Sequence, residues 1–122
     1  MKSILVADRS LFIRSVLKQK LHRTQYKITG EAEDGKQAVQ KFLAINPDIV
    51  MLEFLMPQMN GYETLREIVR INPNASVFMM STFKDDCLVT QSLEQGAKGF
   101  IQKPDFNGLL ATLEQLEMSG QC

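Results

Sequence analysis

Short apolar runs alternate with longer amphipathic segments five times along the chain, and this alternation restricts the fold more than any other feature. An apolar run without polar alternation is typical of a strand that is covered on both faces, as in a parallel sheet. Three runs are continuous and two are weaker. They lie at residues 4–7, 49–52 and 77–80, and around Ile28 and Phe100. Length alone leaves buried helix open for each run, but the turn-forming residues between the runs favour strands.

Helical periodicity fills the gaps between the runs. The apolar residues that recur at spacings of three and four are Phe12, Ile13, Val16, Leu17 and Leu21; Ala38, Val39, Phe42 and Leu43; Leu65, Ile68 and Val69; and Phe106, Leu109, Leu110 and Leu113. A fourth helix, at about residues 85–95, has the weakest apolar stripe. Asp34 and Asn60 are placed as N-caps of the second and third helices, and Glu63 completes an approximate capping box with Asn60. Pro47 and Pro73 then end these two helices, because a residue before proline avoids the α region.

Five strands that alternate with five helices through short connections predict right-handed βαβ crossovers. We therefore expect an α/β fold with a doubly wound parallel sheet, in the flavodoxin-like strand order 2-1-3-4-5. The 122 residues contain no internal repeat and no linker, so residues 1–122 are expected to form a single domain.

Charge and composition restrict the class of function. Fourteen Lys and Arg balance fourteen Asp and Glu, and this balance gives no whole-molecule field that would attract nucleic acid or an acidic membrane. No apolar run is long enough to span a bilayer or to form a signal-peptide core. Cys87 and Cys122 lie far apart without metal-type spacing, and free thiols in a reducing compartment are the expectation. A cytoplasmic protein that contacts neither nucleic acid nor membrane is predicted.

Polar residues follow the apolar runs at the carboxyl ends of the predicted strands, where open α/β sheets carry their sites. Two acids, two hydroxyls and two cations meet this description. They are Asp8, Arg9, Glu53, Ser81, Thr82 and Lys103. Solvent-facing or capping roles are the simplest alternatives for some of them: Arg9 can cover an apolar patch with its stem, and Thr82 is assigned to a helix cap. His22 is placed on an exposed face and is given no catalytic role.

The order and spacing of several short segments carry a resemblance to a known family. The segments are Ile4-Leu5-Val6-Ala7-Asp8 with Ser10; Glu33-Asp34-Gly35 with Ala38; Pro47-Asp48-Ile49-Val50, Met56-Pro57 and Asn60-Gly61; Met80-Ser81; Gly96-Ala97; Gly99-Phe100; and Lys103-Pro104. Over its whole length the chain resembles a receiver domain of the two-component response regulators, of the kind found in chemotaxis regulators.

The resemblance implies phosphoryl transfer from a phosphohistidine, or from a small phosphodonor, to a carboxylate after the third strand. Glu53 stands at the position of this acceptor, Ser81 at that of a hydroxyl and Lys103 at that of a lysine that contacts the phosphoryl group. Asp8 stands at the first position of an acidic pair, which with the acceptor would hold magnesium. Ser81 and Phe100 match the positions that switch with the state of the site.

Two positions depart from the family pattern. Arg9 replaces the second acid, which removes a magnesium ligand and adds a positive charge, so we expect weak or absent magnesium binding. Glu53 replaces the acceptor aspartate and is longer by one methylene, which misplaces the attacking oxygen for in-line transfer. Whether the replacements are natural or engineered is left open by the sequence.

These departures favour a signalling module, not an enzyme, with weak or no phosphoacceptor activity and a function in protein–protein interaction. An ion pair of Glu53 with Arg9 or Lys103 would then hold one conformer. The expected partners are a histidine kinase or another signalling protein, with an output domain or a homodimer formed through the fourth-helix to fifth-helix face. The alternative is a conventional magnesium-dependent receiver that a histidine kinase phosphorylates. A nucleotide binder is less well supported, because no Gly-rich loop follows the first strand.

Overall fold

Five strands and five helices alternate along the chain, as the sequence predicts. In the computed structural model the described residues are 1–82, 85–104, 106 and 108–119, without the side chains of 116–119. The elements are β1 (Lys2–Ala7), α1 (Leu11–Lys20), β2 (Tyr26–Ala32), α2 (Gly35–Ile45), β3 (Ile49–Glu53), α3 (Gly61–Ile71), β4 (Val77–Ser81), α4 (Asp86–Glu94), β5 (Gly99–Gln102) and α5 (Leu109–Ser119). The strands form one parallel sheet in the order β2-β1-β3-β4-β5, which confirms the predicted flavodoxin-like topology.

The sheet separates two apolar clusters. On one face Leu5 and Val50 pack with residues of α2 and α3, and on the other face Ile4 and Met51 pack with residues of α1 and α5. Every residue of β3 and β4 is buried, which is the environment that a continuous apolar run requires. Because both faces are covered, the polar groups that follow the strands are concentrated at the edges of the sheet.

Side-chain caps begin the second and third helices where the sequence predicts them. Asp34 accepts a hydrogen bond from the backbone N–H of Gln37, at 2.8 Å. Asn60 accepts one from the N–H of Glu63 at 2.9 Å, and the Glu63 carboxylate accepts one from the N–H of Asn60, which completes a capping box. These caps fix the start of each helix beside the carboxyl edge of the sheet.

Three residues predicted for helix core faces are exposed. Phe12 is 69% exposed, Leu43 is 61% exposed and Leu110 is 37% exposed. In α1 the buried face includes Ile13 and Arg14, and it leaves out Phe12. The guanidinium group of Arg14 donates hydrogen bonds to Glu31 and to the carbonyl of Asp8. The prediction for Phe12 was therefore wrong because a paired arginine, and not the aromatic ring, occupies the edge of the core face.

The start of the last helix and the cap of the fourth also differ from prediction. Phe106 lies before α5 with φ 54°, and Gly108 with φ 74° separates it from the helix, although the Phe106 ring is still buried in the core. Asp85, and not Thr82, caps α4 by accepting a hydrogen bond from the N–H of Leu88. An aspartate next to the first turn is a better N-cap than a threonine at the end of a strand.

No helix in the described part of the chain is long and apolar enough to cross a membrane. Cys87 is a free and exposed thiol. Cys122, the other cysteine of the sequence, lies outside the described residues.

Candidate functional site

The sheet register brings the first and third strand ends together. Ala7 pairs with Leu52 across β1 and β3, so Asp8 and Glu53 lie side by side at the carboxyl edge. Lys103 follows β5, which lies two strands away from β3 beyond β4. Its backbone N–H donates to the carbonyl of Ser81 at 2.9 Å, and this bond directs the lysine stem across the end of β4.

A buried ion cluster results from this arrangement. The Lys103 ammonium lies 2.6 Å from Asp8 Oδ2 and 2.5 Å from Glu53 Oε1. The exposed fractions are 0% for Asp8, 7% for Glu53 and 4% for Lys103. Of the two ion pairs considered for Glu53, the structure therefore contains the one with Lys103. We name these three residues the carboxylate–lysine cluster.

The turn after β1 and the helix α1 hold Asp8 in place through two hydrogen bonds. The N–H of Ser10 donates to Asp8 Oδ1 at 2.9 Å, and the Ser10 hydroxyl caps α1 by accepting from the N–H of Ile13 at 3.2 Å. Arg14 Nη1 donates to the Asp8 carbonyl at 2.6 Å, while its Nε donates to Glu31 Oε1 at 2.9 Å. Sequence reasoning missed Arg14, and the available signal was a cation one position after Ile13, at the border of an apolar helix face.

Arg9 does not join the carboxylate–lysine cluster. Its side chain is exposed and forms no ion pair with any residue that the structure describes. The solvent-facing alternative for Arg9 is thus the observed one. Because an arginine follows Asp8, the carboxyl edge of the sheet has no second acid at this position.

The oxygen atoms of the cluster do not fit a divalent ion. Both oxygens of Asp8 and one oxygen of Glu53 already accept hydrogen bonds, from Ser10 and Lys103. Within the described residues no group of three or more His, Cys, Asp or Glu is arranged to hold a metal. Magnesium requires near-octahedral oxygen ligands, and an ammonium group already lies between the two carboxylates here. Lys103 supplies the positive charge that a metal ion would otherwise provide.

One oxygen of the cluster has no partner. Glu53 Oε2 is buried and makes no hydrogen bond within the described part of the molecule. Burial raises the pKa of the Glu53 carboxyl, Lys103 opposes this rise, and the nearby negative charge of Asp8 adds to it. The net result is a pKa for Glu53 above its usual value, although the ammonium of Lys103 lies beside the carboxylate.

Stability is expected to depend on the ionisation of Glu53. Because its folded pKa is raised above the usual 4.5, folding binds a proton, and stability falls as the pH rises from 4.5 through the folded pKa. Glu53→Gln removes this dependence. The free energy of unfolding of Glu53→Gln minus that of the unmodified chain should increase over that pH range, as measured by urea unfolding at a series of pH values.

The matched control for this pH series is Glu94→Gln, which removes an exposed carboxyl from α4. Its difference from the unmodified chain should not follow the trend of Glu53→Gln. A difference for Glu53→Gln that is constant across the series would contradict a raised pKa for Glu53.

Ser81 is the last residue of β4, and Phe100 lies in β5. Ser81 is buried at the end of β4. The half-buried ring of Phe100 lies against Phe54, the residue after Glu53, with ring centroids 6.4 Å apart and an angle of 36° between the planes. The Phe54 ring therefore connects β5 with the loop that follows Glu53. Thr82, whose carbonyl accepts from Gln102 Nε2 at 3.3 Å, is exposed.

Gly61 fixes the backbone of the loop after β3. Its N–H donates to the carbonyl of Phe54 at 2.8 Å. A Cβ at this position would overlap the carbonyl oxygen of Glu53 and the Cα of Phe54. A glycine is thus required for the start of α3 to approach the end of β3 so closely.

Comparison with known proteins identifies the family. The family model of the response regulator receiver domain matches residues 4–114. The chain belongs to the response regulator receiver family. Receiver domains are signalling modules of two-component systems, and the carboxylate–lysine cluster occupies the carboxyl edge of the sheet in this receiver fold.

Chemotaxis proteins are among the relatives of this receiver domain. The chain is 38% identical over 103 residues to the chemotaxis protein CheY of Thermotoga maritima, covering 84% of this chain and 86% of that protein. It is 35% identical to the transcriptional regulatory protein YdfI of Bacillus subtilis, covering 84% of this chain but 48% of that protein. The crystal structure of the CheX–CheY–BeF3–Mg complex of Borrelia burgdorferi matches with a TM-score of 0.88 and 35% identity, covering 94% of this chain and 88% of that one.

Proposed function

We propose that this receiver domain acts through protein–protein interaction and has weak or no phosphoacceptor activity. The observation that carries the proposal is the buried bridge from Lys103 to both Asp8 and Glu53. In phosphoryl transfer, cations must offset the charge that develops on the transferred group. The charge of Lys103 is already offset by two carboxylates. The lysine is therefore not free to offset the charge of a transferred phosphoryl group.

The length of Glu53 supports the same conclusion. An attacking oxygen that is displaced by about 1 Å can lose on the order of a hundredfold in rate. Glu53 extends one methylene beyond an aspartate, and its Oε1 is held by Lys103. The Glu53–Lys103 pair thereby takes the place of a contact between a phosphoryl group and the lysine, and the site has a fixed conformation without modification. Ser81 and Phe100 would report this conformation to a partner.

The proposed partner is a histidine kinase or another signalling protein in the cytoplasm. The face formed by α4, β5 and α5 is the proposed contact surface for that protein, for an output domain or for a second copy. Within the described residues of α4 only Ser92 is buried, and Leu93 and Leu110 are exposed on α4 and α5. A single domain over residues 1–122 is part of this proposal.

A conventional phosphorylatable receiver is the alternative. It is favoured by the positions of Ser81 and Lys103 next to Glu53, and by the Glu53 Oε2 atom, which makes no hydrogen bond within the described residues. The Borrelia burgdorferi CheY relative, by its description, binds BeF3 and Mg. In this alternative Glu53 is an acceptor that has been lengthened, and Asp8 and Glu53 would be the residues that hold magnesium.

Incubation with acetyl phosphate and magnesium, followed by intact-mass spectrometry, tests the proposal. The unmodified chain and Arg9→Asp are expected to gain no phosphoryl group, because the acceptor oxygen remains misplaced in both. Glu53→Asp alone is expected to gain little. Glu53→Asp combined with Arg9→Asp restores both the acceptor and the acidic pair, and its phosphorylated fraction should exceed that of the unmodified chain at least about a hundredfold.

Each outcome separates the two functions. Phosphorylation of the unmodified chain to an extent comparable with that of the double variant overturns the proposal in favour of the conventional receiver. Arg9→Asp combined with Glu53→Asn, which lacks only the acceptor carboxylate of the double variant, is the control, since its loss of labelling shows that modification occurs at this site.

A further inference from the structure

Charge is segregated along the chain although the total is balanced. Residues 9–30 contain six Lys and Arg and no Asp or Glu, whereas all fourteen acidic residues lie elsewhere. This basic segment comprises α1, the turn after it and most of β2. The overall charge of zero therefore conceals a positive surface on one side of the molecule.

The turn between α1 and β2 contains a pocket within this basic segment. It has a volume of about 280 Å³ and lies at the amino ends of β1 and β2. Its floor includes the buried side chains of Leu21 and Tyr26, and its rim includes Lys18, His22, Arg23 and Lys27. We name it the basic pocket. The carboxylate–lysine cluster is at the opposite, carboxyl edge of the sheet.

Two carboxylates that interact with lining residues of the basic pocket, Glu31 with Lys18 and Asp48 with the N-terminus of Met1, are already engaged. Glu31 binds Arg14 Nε at 2.9 Å and Lys18 Nζ at 2.6 Å. Asp48 accepts hydrogen bonds from the N–H and the hydroxyl of Ser3. Arg23 and Lys27 are exposed and form no ion pair with a residue in the described ranges. Their charges are available to a bound molecule.

Arg23 adopts a backbone conformation that does not favour its side chain. Its φ is 61°, in the left-handed region, at the turn where a helix commonly ends with glycine. An arginine in that conformation costs conformational energy which a glycine would avoid. Because the fold would be served as well by glycine at this position, the exposed side chain of Arg23 is free for a role outside the fold.

We infer that the basic pocket binds an acidic segment of a partner protein that carries an apolar anchor residue. Asp and Glu of the segment pair with Arg23 and Lys27, and the anchor residue lies on Leu21 and Tyr26. The volume suits one or two side chains better than a cofactor, since small-molecule sites span about 300–1,000 Å³. This interaction is additional to the proposed function and does not depend on it.

Single-stranded nucleic acid is the less suitable occupant. Such strands bind by stacking bases on exposed aromatic side chains along a charged groove. Tyr26 is the aromatic residue of the pocket, and its ring is buried beneath the rim. The pocket therefore offers ion pairing and apolar contact but no exposed ring for stacking.

The test measures fluorescence anisotropy with a labelled synthetic peptide in which Asp and Glu flank a central Leu-Phe pair. The intact chain should bind this peptide, and the Asn and Gln analogue of the peptide should bind at least about tenfold more weakly. Affinity for the acidic peptide should fall on raising salt from about 50 mM to about 200 mM, because exposed charges are screened. Absence of detectable binding at the lower salt would overturn the inference.

Variants locate the interaction. Arg23→Gly with Lys27→Gln should weaken peptide binding about tenfold. Lys36→Gln with Lys41→Gln removes two exposed charges from α2 and should leave binding within about twofold. Equal losses in the two double variants would show non-specific attraction and overturn the assignment. Arg23→Gly alone should weaken binding while leaving the melting temperature unchanged or higher, and a lower melting temperature would assign Arg23 a structural role.

Two further comparisons distinguish the partner and the site. A thymidine oligonucleotide that binds more tightly than the acidic peptide at the same salt would overturn the choice of a protein partner. Glu94→Gln, which removes an exposed carboxyl from α4, should bind the peptide as the unmodified chain does. The carboxylate–lysine cluster, which the phosphorylation experiment tests, is at the other edge of the sheet from the basic pocket. Failure of the phosphorylation experiment and failure of this one are therefore independent.

Discussion

Lys103→Met is expected to lower the free energy of unfolding by about 3–5 kcal/mol at neutral pH. Methionine keeps most of the lysine volume, but it removes the ammonium group that lies between Asp8 and Glu53. The two carboxylates would then remain buried without a counter-charge, which is far more costly than the absence of the whole cluster. Urea unfolding followed by circular dichroism measures this loss.

The control for this substitution is Lys98→Met, which removes an exposed lysine just before β5 and should change stability by less than about 0.5 kcal/mol. Adding Asp8→Asn and Glu53→Gln to Lys103→Met should recover a large part of the loss, because no buried charge is then left unpaired. A loss for Lys103→Met no larger than that for Lys98→Met would mean that the carboxylates do not need the lysine.

Gly61→Ala is expected to destabilise the fold by about 2–3 kcal/mol. Two effects oppose each other at this position. Alanine favours a helix over glycine by about 1 kcal/mol, which would stabilise α3. The added Cβ, however, would overlap the backbone of Glu53 and Phe54, and no flexible side-chain end is available to move away. The steric cost is therefore expected to exceed the gain in helix propensity.

Gly108→Ala is the comparison for Gly61→Ala. Gly108 has φ 74°, and within the described residues no atom lies within 4 Å of the position that an alanine methyl group would occupy. Its substitution therefore carries the conformational cost alone, about 1–2 kcal/mol. Thermal unfolding monitored by circular dichroism ranks the two variants. Unchanged or increased stability of Gly61→Ala would show that α3 can move away from β3 without loss.

The fold was predictable because its signals are local and repeated. Continuous apolar runs predict buried parallel strands, and Asp34 and Asn60 mark helix starts by their own hydrogen bonds. The number of alternations then allows few topologies. Helix faces were less certain: Phe12 and Arg14 lie on either side of Ile13, and which of them is buried depends on the distant partners of Arg14.

The location of the candidate site also followed from the sequence. The ion pairs that Lys103 forms with Asp8 and Glu53 did not. Residues after parallel strands share one edge, which is why Asp8, Glu53 and Lys103 were expected there. The Lys103 ammonium reaches both carboxylates because the lysine stem runs across the end of β4. No spacing in the sequence predicts that path. The basic pocket was hidden because a charge total carries no information about distribution.

The bridge from Lys103 has a consequence for the way in which the sheet opens. β5 is a four-residue edge strand, and such a strand would ordinarily fray before the rest of a sheet. The lysine that follows β5 reaches past β4 to Asp8, which follows β1, and to Glu53 at the end of β3, so detachment of the edge leaves unpaired charges in the centre. Opening of the edge strand and opening of the central strands are thereby coupled into one cooperative unit, and the short edge strand is protected by the buried strands at the centre.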